Sequence, residues 1–169
     1  MPPEEAVERI LIRRGGVVGI LAWGTGLLLT YSLAQLLSSG LLLHHIDNAP
    51  VAGTLYGYLL IHTWLPVPVS HLGDARYTLI PFVVLVGAGY LLGANADASA
   101  GRSLAHGATV TVGYFPMVVA TLRLPPPNTV VVDPVIPFVW AGLLFPAVGG
   151  AVGGHLAVRA AAMRRGLRV

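Results

Sequence analysis

The sequence predicts an all-α polytopic transmembrane bundle: four membrane spans plus one amphipathic or re-entrant segment on the outer face. Three observations predict it. Of 169 residues, 55% are hydrophobic and only 10% are charged, where a soluble domain carries roughly 25%. The apolar residues gather in four runs, each near or above the roughly 20 residues that cross a bilayer core. The ten basic residues are all arginine and cluster at the flanks of those runs, which reads as membrane orientation. The pI of about 9.7 therefore does not point to nucleic acid. The bilayer is the partner that the composition implies, and no substrate is legible.

Residues 2–14, PPEEAVERILIRR, place Glu4, Glu5 and Glu8 early and Arg13 and Arg14 late, the order that a helix dipole favours. Val7, Ile10 and Leu11 recur at helical spacing. Residues 1–14 are expected as a cytoplasmic, interfacial lead-in helix, and the first span as 16–42. The run beginning at Gly15 is far longer than the 7–15 apolar residues of a signal peptide, so it reads as a retained span. The second span is expected over 77–94, YTLIPFVVLVGAGYLLGA, and the third over 104–124, after the polar loop NADASAGR. The prolines of PPPNTVVVDP cannot continue a helix, and the fourth span follows over 135–158, with an arginine-rich cytoplasmic tail over 159–169. The connections leave no room for a second domain.

The stretch over 50–72 is the ambiguous one. Its apolar part is short for a span and rich in Tyr56, Tyr58 and Trp64, the residues of a membrane interface. Arginine placement decides its topology. With four spans, Arg9, Arg13, Arg14, Arg102, Arg159, Arg164, Arg165 and Arg168 lie inside, eight of ten, leaving Arg76 and Arg123 outside. With five spans the arginines divide five and five, which is no bias. The positive-inside rule thus favours four spans, both termini cytoplasmic, and an outer-face position for 50–72.

The second half carries a resemblance. HGATVTVGYFPMVVATL (His106–Leu122) and AGLLFPAVGGAVGGHLA (Ala141–Ala157) resemble a family of small multi-pass membrane proteins from haloarchaea, mostly uncharacterised and in part loosely labelled as transporters. The resemblance implies a span with Gly113, Tyr114 and Pro116, and a last span with Phe145, Pro146 and a glycine-rich end from Gly149 to Gly154. It supplies no catalytic residue.

The chemistry-bearing patterns are few. Gly15 and Gly19, Gly89 and Gly93, Gly149 and Gly153, and Gly150 and Gly154 lie four apart, letting helix backbones approach closely. They serve packing within one bundle or contact between copies in a homo-oligomer. Pro81, Pro116 and Pro146 each remove a helical hydrogen bond and bend the chain; such breaks either shape packing or line a transport site. His44, His45, His62 and His71 with Asp47 fall in one stretch, without the spacing of a zinc motif. They read as part of an interfacial aromatic belt or, alternatively, a weak metal site. His106 and His155 fall near the cytoplasmic ends of their spans and form a candidate polar pair. Cysteine is absent, so no thiolate chemistry is available. No acid falls within a span, which weighs against an ion-coupled carrier. The sequence thus predicts a non-enzymatic multi-pass membrane protein without a cofactor, with a small-solute or ion permease, or a transporter's membrane subunit, as the alternative.

Overall fold

The computed structural model describes residues 3–36, 50–62, 75–94, 100–125 and 133–166. Among them every element is helical and no strand is present. Helix α1, Pro3–Leu36, runs 34 residues without a break, about 51 Å at 1.5 Å per residue. Pro3 opens it at the position where a missing N–H costs least. The lead-in and the first span, expected as separate elements, are one helix. Gly15 and Gly16 lower helix propensity by about 1 kcal/mol each but remove no hydrogen bond, so they do not break it. The last part of the expected span, 37–42, lies outside the described residues. Helix α2 is Pro50–Ile61, and α3 is Ala75–Ala94, with Pro81 inside it.

The expected third span is divided into α4, Ala100–Ala108, and α5, Thr111–Leu122. The junction is at Thr109–Val110, and Pro116 lies just over one turn into α5. It has no N–H for the Val112 carbonyl, and its ring crowds that carbonyl. The turn before it tightens into i to i+3 bonds: Thr109 N–H to His106 O at 3.1 Å, Val112 N–H to Thr109 O at 3.0 Å and Gly113 N–H to Val110 O at 3.3 Å. The Thr109 hydroxyl adds a 2.6 Å bond to the His106 carbonyl.

The last helical stretch joins α6, Val135–Val139, a π-helical turn, Trp140–Leu144, and α7, Phe145–Gly166. Asp133 starts it by accepting the Val135 N–H at 3.0 Å. The π turn answers Pro146, which offers no N–H to the Gly142 carbonyl. One extra residue enters the turn, and the Phe145 N–H bonds Trp140 O five residues back. Such insertions are the usual relief for a blocked ladder. Helix α7 also continues past 158 to Gly166, so Arg159 and Arg164 ride on a helix rather than in a tail.

Glycine faces set the helix order. A Cβ at Gly19 would strike the Val110 carbonyl, and one at Gly113 would strike the Gly16 carbonyl, so α1 lies against the α4–α5 junction. Gly89 faces the Gly150 carbonyl, Gly153 faces Val86 O, and Gly150 in turn faces Gly107 O. Helix α7 therefore packs between α3 and α4. Ser103 joins all three: its hydroxyl is 3.0 Å from Gly154 O and 3.3 Å from Gly93 O. With α1 also against α3, the four long stretches close a ring in the order α1, α4–α5, α7, α3.

Stretches that follow one another in the chain run antiparallel, whereas α1 runs parallel to α4–α5 and α3 parallel to α7. Leu11 and Arg14 near the start of α1 share a recess with Leu92 near the end of α3 and with His106. Beyond that level the helices carry Arg9, Arg13, Arg102, Arg159 and Arg164; Arg76 and Arg123 fall at the opposite end. Three stretches are long and apolar enough to cross a membrane: Arg9–Leu33, Gly101–Leu122 and Val135–Arg164. The apolar part of α3, Leu79–Ala94, is shorter. Leu21, Leu28, Val83, Val112, Val148 and Leu156 point outward and exposed, a surface that suits lipid and not water.

The glycine faces generate a test. Gly150→Ala places a Cβ against the Gly107 carbonyl and Val110, overpacking that costs about 1–3 kcal/mol. Gly24→Ala meets nothing within 4 Å and should be neutral or stabilising by up to about 1 kcal/mol. Unfolding midpoints of both variants in detergent check the contrast; equal midpoints would contradict the packing described.

Candidate functional site

The interior centres on a histidine that α2 carries into the bundle. Tyr56, toward the end opposite the arginines, bonds the Leu124 carbonyl at 2.8 Å, while Tyr58 and His62 reach Tyr114. From Leu124 back to Tyr114 is ten residues, about 15 Å along a helix. Helix α1 ends and α3 begins at the end opposite the arginines, and α2, between them in the chain, lies inside the bundle. Tyr56 and Tyr58, expected at headgroup level, are 4% and 1% exposed inside the bundle. Their helix is apolar on every side, so it has no outer face to leave in a headgroup layer.

The end of α2 builds the site. Its last turn leaves carbonyls without helical donors. The His62 N–H takes Leu59 O at 3.2 Å, and the Tyr58 carbonyl is taken instead by the His62 ring, Nδ1 to O at 2.8 Å. A carbonyl only accepts, so Nδ1 carries the proton. In the neutral ring Nε2 then accepts, and the Tyr114 hydroxyl donates to it at 2.6 Å. Tyr114 in turn accepts from the Tyr58 hydroxyl at 2.9 Å. The result is a closed circuit from the Tyr58 hydroxyl through Tyr114 and His62 to the Tyr58 backbone, with each polar ring atom used.

Aromatic rings seal it. Trp23 of α1 meets Tyr58 and Tyr114 edge to face, at centroid distances of 4.9 and 5.0 Å, and lies nearly parallel to His62 at 6.3 Å. Phe145, just after the π turn, meets the other side of His62 at 5.1 Å. Gly26 leaves the space that the Tyr58 hydroxyl fills: a Cβ there would collide with it. His62 and Tyr114 are fully buried. The Trp23 Nε1 is buried without a hydrogen-bond partner, the one unmet donor of this aromatic shell.

Residues 68–161 match a family model, the family of unknown function DUF7978. The chain belongs to this family. The matched segment carries α3, α4, α5 and most of the last helical stretch, including Tyr114 and Phe145; Trp23, Tyr58 and His62 precede it. No curated protein matches the chain. No solved structure matches it either.

The structure distributes the sequence candidates unevenly. Both nitrogens of His62 are engaged with protein groups, which leaves no lone pair for a metal. His44, His45, Asp47 and His71 lie outside the described residues, and among those described no three His, Cys, Asp or Glu side chains gather. No hydrogen bond or ring contact joins His106 to His155. His106 turns toward Leu11, Arg14 and Leu92, away from the face that Gly107 gives to α7. Pro81 and Pro146 are buried, and Pro116 is exposed. The roles of Trp23, Tyr58, Tyr114 and Phe145 around His62 were not read from the sequence. One signal was available: Tyr58 and His62 are four apart, on one helix face.

The circuit predicts an order of damage. Tyr114→Phe strands both the His62 Nε2 and the Tyr58 hydroxyl, and should cost about 2 kcal/mol or more at roughly 1 kcal/mol or more per buried orphan. Tyr58→Phe removes one donor and strands nothing, and should cost about 1 kcal/mol. Unfolding of both variants in mixed micelles ranks them; a Tyr58→Phe loss equal to that of Tyr114→Phe would break the proposed direction of the bonds.

Proposed function

We propose that the chain is a four-span membrane protein with a non-enzymatic role, a membrane-embedded binding or scaffold component rather than a conduit. Residues 1–14 and 159–169 are assigned to the cytoplasm. One observation carries the reading: the bundle centre is filled. Trp23, Tyr58, Leu59, His62, Leu85, Tyr114 and Val118 are each under 2% exposed, and the one basic member, His62, is tied at both nitrogens. A base and a hydroxyl do meet there, but among the described residues both are fully buried, with Trp23 and Phe145 packed on His62. The four-span count is supported by the antiparallel order of α1 and α3, which a fifth crossing by α2 would make parallel. The clustering of arginines at one end supports the orientation.

A second reading rests on His62 itself. An ionisable side chain at membrane depth is by default a candidate for proton or ion handling, and a π turn beside it marks backbone able to rearrange. This is the permease alternative, or a transporter's membrane subunit.

Two experiments test these readings. Cysteines placed singly at Ser99 and Gly166, in a chain with no cysteine of its own, should resist a membrane-impermeant maleimide in intact cells and react after lysis. Labelling of both in intact cells would overturn the four-span topology. Purified protein in liposomes under a pH gradient should leak protons and small ions no faster than protein-free vesicles. A flux that vanishes in His62→Gln would replace the first reading with the second.

A further inference from the structure

At the arginine-rich end, α1 and α3 leave a groove between them. Ile10, Arg13, Arg14, Val17 and Val18 line one wall, and Leu91 and Leu92 the other; its volume is about 580 Å³. That lies within the roughly 300–1,000 Å³ of ordinary ligand sites. The α1 residues fall at helical spacing, so they form one stripe. Val17 and Leu91 are 54% and 62% exposed, so the described residues leave much of the apolar wall open. Arg13 and Arg14 stand at the polar edge of this wall, one turn above Val17 and Val18. Among the described side chains neither arginine has an ion-pair partner. The acids of α1 do not supply one by helical geometry: Glu4, Glu5 and Glu8 are not three or four residues from either arginine. A smaller recess adjoins the groove, shares Arg14 and Leu92, and is also lined by His106 and Thr109. The His106 Nδ1 there is buried and has no hydrogen-bond partner.

We infer that this groove binds an anionic phospholipid of the cytoplasmic leaflet, with its phosphate between Arg13 and Arg14 and an acyl chain along Val17, Val18 and Leu91. The inference rests on the membrane orientation proposed above. The occupant follows from complementarity. Guanidinium groups pair with phosphate in fork geometry, and basic pockets between helices on the cytoplasmic side are where anionic headgroups collect. The wall below the arginines offers no hydrogen bond and suits only a hydrocarbon chain. A free anion would leave that wall uncovered, and a zwitterionic lipid would bring its own cation beside the two arginines. The unused His106 nitrogen in the adjoining recess offers a partner to a headgroup hydroxyl.

The test uses the full chain in a neutral detergent, titrated with dioleoyl phosphatidylglycerol, dioleoyl phosphatidylcholine or inorganic phosphate, and read by native mass spectrometry and the thermal midpoint. Phosphatidylglycerol should remain bound and raise the midpoint, phosphatidylcholine should bind about tenfold more weakly, and phosphate should do neither. Arg13→Gln with Arg14→Gln should raise the apparent Kd for phosphatidylglycerol about thirtyfold, from the loss of two charges near an anionic headgroup. Arg102→Gln, exposed on α4, should leave it unchanged. Val17→Trp, which fills the apolar wall and keeps both charges, should also weaken binding. Equal retention of the two lipids would make the groove an ordinary lipid contact and overturn the inference. So would phosphate matching phosphatidylglycerol, or a double variant that binds like the parent. Flotation with liposomes of either lipid after alkaline washing reads membrane insertion separately: loss of flotation defeats the membrane reading, while loss of lipid preference with flotation intact defeats only the site.

Discussion

The close backbone approach at Gly150 is the constraint on which the rest depends. Its Cα faces the Gly107 carbonyl on one side, and its own carbonyl faces Gly89 on the other, so three helices meet where no side chain intervenes. In lipid, apolar surface gains nothing by leaving one hydrocarbon for another, and helix association rests on packing and interhelical hydrogen bonds. The bare faces of α3, α4 and α7 supply the first, and Ser103 between the Gly93 and Gly154 carbonyls supplies the second. Once these helices are in register, the level of Tyr114 and Phe145 is fixed, and with it the chamber that His62 enters.

The two halves of the interior are built on opposite principles. Toward the arginine-rich end, glycines bring α3, α4 and α7 together and leave no room for side chains between them. Toward the opposite end, large rings hold them apart and fill the opening: Trp23, Tyr58, Tyr114 and Phe145, with His62 among them. The π turn stands where the two regimes meet. Above it, Phe138 packs edge to face on Phe115 at 5.1 Å; below it, the same helix offers its glycine strip to α3 and α4. One added residue in the turn gives a single helix two differently directed faces.

Much of the architecture was legible in the sequence, because a span must satisfy its backbone and its surface within its own residues. Composition and run length were enough to give an all-helical chain with helices able to cross a membrane. Local responses to proline were less legible. Pro116 and Pro146 announce that a hydrogen bond is missing, but whether the chain tightens, as at Thr109, or widens, as at Trp140, depends on what packs alongside. The depth of α2 was not legible. A dozen apolar residues with tyrosines fit a headgroup layer or a bundle interior equally well until the partner is known. Tyr58 and His62 are one turn apart and visible as a pair. Tyr114, which completes them, is 52 residues beyond His62, and no local pattern connects the two.

That separation has a consequence for biosynthesis. A ribosome adding about 5–20 residues per second makes His62 roughly 3–10 s before Tyr114. Through that interval α2 has left the ribosome with a polar ring and two phenols but without the hydroxyl that completes them, and burying them alone in lipid is costly. The hydrogen-bond circuit around His62 therefore cannot close until α5 has been made, so the N-terminal half is finished by the C-terminal half.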